Sequence, residues 1–159
     1  MISRHIVVLA SLAVAALLSG CGDAPPLPPP PGILDITIAA DQDINPDDRN
    51  RPSPVIVTLY QLSAKGAFSA EDYFALSDGK QIAPDLMARD QISINPGERK
   101  TLSEPVKETA QFFAIVASFQ QIDKAAWKAV VQVPAHGTTN ITAHLTGKAV
   151  TLQSGLSER

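Results

Sequence analysis

"QFFAIVASFQQ", Gln111 to Gln121, places apolar side chains on both faces of one extended segment: Phe113, Ile115, Ala117 and Phe119 on one, Phe112, Ala114 and Val116 on the other. Successive side chains of a strand point to opposite sides of the sheet. A strand with this pattern belongs in the middle of a sheet that is covered on both sides. The hydrophobic core is expected to form around it.

Working outward, the neighbouring segments read as strands of simpler pattern. "ILDITIAA" from Ile33 alternates, with Leu34, Ile36 and Ile38 on one face, and "PVIVTLYQL" carries Val55, Val57 and Leu59 opposite Ile56, Thr58, Tyr60 and Leu62. "DQISINPGERKTL" places Ile92 and Ile94 before an Asn-Pro-Gly turn, where Pro96 presets φ and Gly97 can take a positive φ, and so reads as a hairpin returning through Leu102. "WKAVVQVP", "TTNITAHLT" and "KAVTLQ" follow as further short strands. In "FSAEDYFALSDG" Ser69 is placed to cap one short helix, with Glu71 and Asp72 in its first turn and Phe68, Tyr73, Phe74 and Leu76 near one apolar side. "PDLMAR" and "DKAAWK" are candidates for single helical turns, the latter bringing Trp127 onto the sheet or the rim. Many short strands separated by turns predict a mainly β fold, a two-sheet β-sandwich with one or two short helices, spanning residues 33–159.

The N-terminus has a different character. Arg4 and His5 precede the apolar run Ile6 to Leu18, which is shorter than the roughly 20 residues a membrane-crossing helix needs. This charged, apolar, small-residue order is that of a secretory signal, residues 1–20. Cys21 is the only cysteine, so it has no partner within the chain for a disulfide. "LSGC", Leu18 to Cys21, resembles a bacterial lipobox, which implies cleavage before Cys21 and acylation of its thiol and new amine. Several acyl chains hold a protein on a bilayer persistently. "GDAPPLPPPPG" follows; with Cys21 it makes residues 21–32 a lipid-anchored tether, extended and stiff because proline lacks an amide donor and favours polyproline II. Gly22 stands where the common lipoprotein sorting rule has Asp for inner-membrane retention, so the outer membrane is the expected location. The formal charge of −3 argues against nucleic acid as a partner.

Between the first two strands lies "DQDINPDDRNRPSP", Asp41 to Pro54, longer than the two to five residues of an ordinary hairpin loop. The alternating oxygens of Asp41, Asp43, Asn45 and Asp47 resemble the start of a calcium loop. However, Pro46 falls where that motif needs glycine and Pro52 where it needs a bidentate glutamate. A weak calcium site at Asp41 to Asp47, in an adhesion or sugar-binding lipoprotein, is therefore the alternative reading. No metal or other cofactor is expected, apart from the covalent lipid on Cys21. The sequence has no His-x-His, H-E-x-x-H, G-x-S-x-G or glycine-rich phosphate loop, and the reading is a non-enzyme.

"INPDDRNRPSPVIVTLYQL", Ile44 to Leu62, resembles the signature of the TssJ lipoproteins of type VI secretion systems (the SciN/VasD group): an Asn-Pro, a Pro-Val strand start and a Tyr-Gln-Leu strand end. "FSAEDYFAL", "QISINPGERKTL" and "FFAIVASFQQIDKAAWK" continue the resemblance in order, and with the lipobox they cover nearly all of the mature chain. Gln120 and Lys128 depart from it, standing where family members often carry Arg. The resemblance implies a transthyretin-like sandwich on the periplasmic face of the outer membrane. It also implies binding to the periplasmic domain of the inner-membrane protein TssM, in a membrane complex that includes TssL. Carried over, the family's contact loop corresponds to Asp41, Gln42, Asp43, Ile44, Asn45, Pro46, Asp47, Asp48, Arg49, Asn50, Arg51, Pro52, Ser53 and Pro54, with Ile44 as the expected apolar anchor.

Overall fold

The structure, a computed structural model, describes residues 27–156; the signal segment, Cys21 and the first part of the tether lie outside them. The alternating segments form eight strands: β1 (Ile33–Ala40), β2 (Val55–Leu62), β3 (Leu86–Ile94), β4 (Arg99–Pro105), β5 (Phe112–Ala117), β6 (Lys128–Gln132), β7 (Thr138–Thr146) and β8 (Ala149–Leu156). They make two four-stranded sheets, one in the order β4-β1-β7-β8 and the other β3-β2-β5-β6. The β1–β7 pair is parallel, and the other strand pairs within the sheets are antiparallel. Ala126 bridges to Ala149 and ties the β6 and β8 edges together.

Leu34, Ile36 and Ile38 of β1 meet Val55, Val57 and Leu59 of β2 and Phe113 and Ile115 of β5 between the sheets. The opposite faces of the central strands supply a second cluster. Tyr60, Leu62, Ala114 and Val116 are roofed by Phe68, Leu76 and Ile82 from the β2–β3 connection. This roof explains why the segment around β5 is apolar on both sides: one face meets the other sheet and the second meets the helical cover. Each large apolar side chain buried this way contributes about 1.5–3 kcal/mol relative to exposure.

Three local expectations need correction. β3 and β4 do not form a hairpin with each other. β3 pairs with β2 and β4 with β1, so the chain changes sheet at the turn. The turn chemistry itself is as read: Gly97 has φ +74 and Glu98 N–H donates to Asn95 O at 3.0 Å. Among the described residues α-helix occurs as two short pieces, α1 (Gly66–Ala70) and α2 (Tyr73–Asp78), and the side chain that caps is Asp72 at the start of α2, accepting from Ala75 N, with no cap from Ser69. Phe74 is 71% exposed and leaves the apolar side to Phe68 and Leu76.

The strand directions give the domain two poles. The β1–β2, β3–β4, β5–β6 and β7–β8 connections gather at one pole, because Ala39 pairs with Arg99 and Ala40 with Leu145 where those strands begin and end. The tether enters at the other. There Gly32 N–H donates to Ala135 O at 2.7 Å, Val106 N–H donates to Gly32 O at 2.8 Å, and His136 Nδ1 lies 2.9 Å from Pro30 O. β1 runs between the poles, which its eight residues separate by roughly 26 Å at about 3.3 Å per residue.

Candidate functional site: the loop between the first two strands

The chain leaves β1 in one sheet and enters β2 in the other, so the loop must cross the end of the sandwich. Asn45 organises the crossing. It has φ +48, in the left-handed region that Asn tolerates better than most residues, and it is 4% exposed. Its backbone N–H donates to Gly147 O (2.8 Å), its Nδ2 donates to Pro54 O (2.7 Å), and its Oδ1 accepts from Gln120 N–H (2.7 Å). Ser53 Oγ donates to the Asn45 carbonyl at 2.6 Å and accepts from Gln120 Nε2 at 2.6 Å. One side chain thus joins the β1–β2 loop to the β5–β6 connection, while the backbone joins it to the β7–β8 turn.

The tip is closed by Asp47. Its Oδ1 accepts from the backbone N–H groups of Arg49 (2.8 Å) and Arg51 (2.9 Å), and its Oδ2 accepts from Arg51 Nε (2.8 Å) and pairs with the same guanidinium at 2.7 Å. Asp47 N–H donates to Arg51 O and Asn50 N–H to Asp47 O, with Asn50 at φ +58. The Arg51 backbone N–H, then its side chain, holds the Asp47 carboxyl below its ordinary value of 3.8. At the base, Asp41 Oδ1 lies 2.9 Å from His144 Nε2 and Asp41 O accepts from Gly97 N–H.

These bonds bear on the calcium reading. The Asp41 carboxylate goes to His144, the Asn45 amide oxygen goes inward to a backbone N–H and the Asp47 carboxylate goes to Arg51, so three of the four alternating oxygen groups serve different local tasks. Among the described residues no three His, Cys, Asp or Glu side chains converge as a metal cluster.

Of the segment singled out from sequence, Asp41, Gln42, Asp43, Asp48, Arg49, Asn50, Arg51, Pro52 and Pro54 are exposed, and Pro46, Asp47 and Ser53 are half-buried. Ile44 is the exception that overturns its expected role. It is fully buried in the cluster between the sheets, so it anchors the loop to its own domain and offers nothing to a partner in this conformation. Asn45 is likewise turned inward. Sequence reasoning did not anticipate the supports Gln120 and Gly147; they lie far along the chain, and no local pattern marks them.

The family model described as type VI secretion lipoprotein (VasD, EvfM, TssJ) matches residues 33–148. The chain belongs to this family. Among solved structures, the type VI secretion lipoprotein TssJ1 from Pseudomonas aeruginosa is similar with a TM-score of 0.76 at 27% identity, over 81% of this chain and 100% of that one. Serratia marcescens Lip, a membrane-bound component of the type VI secretion system, has the same fold, with a TM-score of 0.70 at 17% identity over 76% of this chain and 96% of that one. A chain in a structure of the TssM C-terminal domain from EAEC matches with a TM-score of 0.64 at 26% identity, over 76% of this chain and 97% of that one. Comparison with curated proteins finds no match. The type VI lipoprotein fold in this chain is therefore the two-sheet sandwich with two short helices, and the loop described above spans one end of it.

Proposed function

We propose that this chain is the outer-membrane lipoprotein of a type VI secretion membrane complex. It is acylated at Cys21, catalyses no reaction, and binds the periplasmic domain of TssM through the exposed residues of the β1–β2 loop, in an assembly that includes TssL. The polarity of the domain carries the reading: the tether joins one pole and the loop crosses the opposite one, so a lipid at Cys21 leaves the loop facing away from the membrane. Family membership supports the secretion role, and similarity to chains in structures of the TssM C-terminal domain and of a type VI membrane complex supports the partner. The hydrogen bonds of Asn45 and Asp47 hold the loop before any partner arrives, which lowers the ordering cost of association. Charges of both signs remain exposed at Asp43, Asp48 and Arg49 for orientation.

The test replaces the exposed side chains and spares the framework. A variant with Gln42, Asp43, Asp48 and Arg49 all changed to Ala should fold as wild type and lose binding to the purified TssM periplasmic domain by at least about tenfold, a loss of about 1.4 kcal/mol. Unchanged affinity in the folded variant would refute the loop assignment. In the same strain, Cys21→Ser should remove the protein from the outer-membrane fraction, and normal fractionation would refute the anchor.

A further inference from the structure

Beside the loop pole, on the outer face of the β3-β2-β5-β6 sheet, α2 and the β5–β6 connection enclose a groove of about 300 Å³ lined by Asp72, Tyr73, Phe74, Ile122, Asp123 and Trp127. Phe74 is the most exposed aromatic side chain among the described residues. Its ring meets Tyr73 edge-on at 5.5 Å, and Tyr73 meets Trp127 edge-on at 5.6 Å. Trp127 packs in turn against both buried clusters, and its backbone is tied to the end of β5 by the Ala117 N–H bond to its carbonyl at 2.8 Å. An aromatic surface of this kind gives large contact area for few rotatable bonds.

The groove carries a charge sign as well. Asp72 and Asp123 are its two charged lining residues. Asp72 Oδ1 caps Ala75 N, which holds that carboxylate in place with its second oxygen uncommitted in the described contacts. The adjacent cation, Lys128, donates to the carbonyls of Phe68, Ser69 and Glu71 and lies over the Trp127 ring at 5.0 Å, where it offsets part of the Asp72 charge and leaves Asp123 as the freer carboxylate; Lys124 does not line the groove. Exposed aromatic rings flanked by two carboxylates favour a cationic segment with an apolar side chain at its centre.

We propose that this groove is a second docking point for TssM, receiving a segment in which an aliphatic or aromatic side chain is flanked by Lys or Arg. The inference rests on the reading that TssM binds the β1–β2 loop. The link between the two places is structural: the β5–β6 connection that forms one wall of the groove also carries Gln120, bonded to Asn45 and Ser53 of the loop. Loop and groove therefore belong to one continuous surface, the loop supplying charges of both signs and the groove supplying the apolar anchor site that Ile44 does not provide.

The experiment measures binding of the full lipidated chain, purified in detergent, to the purified periplasmic domain of TssM across a range of salt concentrations. Phe74→Ala should weaken binding about 30-fold, as for a central aromatic anchor. Asp72→Asn with Asp123→Asn keeps the capping acceptor of α2. It should weaken binding about fivefold at low salt and flatten the salt dependence. Wild-type affinity and salt slope in both variants, with the loop variant defective, would overturn the groove and leave the loop assignment standing. Absence of any binding by the wild-type chain would overturn both. Should Phe74→Ala lower the melting temperature, Phe74→Leu provides the second reading. It keeps an apolar group at the site and should bind between wild type and Phe74→Ala, and equal affinity of all three would overturn the proposal.

Discussion

Asn45→Ala is the most informative single change in this domain, because the loop's crossing of the sandwich depends on that side chain. The substitution removes the Nδ2 bond to Pro54 O and the Oδ1 bond from Gln120 N–H, both 2.7 Å long and part-buried. Each net bond contributes about 1 kcal/mol, and leaving a part-buried carbonyl or N–H without a partner raises the cost. Alanine must also hold φ +48, which costs about 1 kcal/mol more than for Asn. The sum is a loss of about 3 kcal/mol, a large fraction of the stability of an ordinary domain. Asn45→Gly loses the same two bonds while accepting the positive φ freely, so it should be about 1 kcal/mol more stable than Asn45→Ala. Urea unfolding followed by the fluorescence of Trp127, the only tryptophan, measures both. A change under about 0.5 kcal/mol for Asn45→Ala, or a glycine variant less stable than the alanine one, would refute the assigned role.

Two further outcomes follow from the same contacts. Lys128→Met removes an ammonium that donates to Phe68 O (3.0 Å), Ser69 O (2.9 Å) and Glu71 O (2.7 Å), but it also relieves the desolvation that lowers this lysine's pKa, against the opposing pull of Glu71 and Asp72. The net loss should be near one charge-assisted hydrogen bond, about 2 kcal/mol, read as a lower melting temperature; a melting temperature equal to wild type would show that the helical cover does not need this lysine. The Asp47 carboxyl is held below its ordinary value, so its contribution to loop order is present above that value and lost as pH falls through the lowered one. The backbone amide shifts of Arg49 and Arg51 should therefore stay constant down to about pH 4 and move together only below it; a transition at or above the ordinary carboxylate range would contradict the bonds described.

How far the fold could be read depended on whether the signal was local. The alternation in β1, the two-faced apolar pattern of β5 and the positive φ of Gly97 were all legible, because side-chain period and turn chemistry are properties of neighbouring residues. The β3–β4 hairpin was misread although its turn was read correctly. A Pro-Gly turn sets how the chain reverses, but sheet partners are chosen by burial across the whole domain, and here β2 and β1 compete successfully for the two arms. The helix start shifted for a related reason. Ser69 lies inside α1, whose Phe68 packs against Tyr60, and the chain turns extended at Glu71 before Asp72 caps α2.

The candidate site divides along the same line. Its existence was visible as an overlong, proline-bearing loop between two strands, and proline positions alone ruled out a regular calcium loop. Which of its side chains face outward was not visible, because Ile44 and Asp43 are neighbours with opposite fates set by where the loop passes over the sandwich. By itself the sequence determined the strands, the turn at Gly97 and the family resemblance, all carried by residue type and short spacing. Only the tertiary structure decided that Ile44 belongs to the core, that Asn45 reaches Gln120, and that tether and loop occupy opposite poles. Those facts depend on contacts between residues up to 106 positions apart, which come together only when the two sheets bury their shared faces.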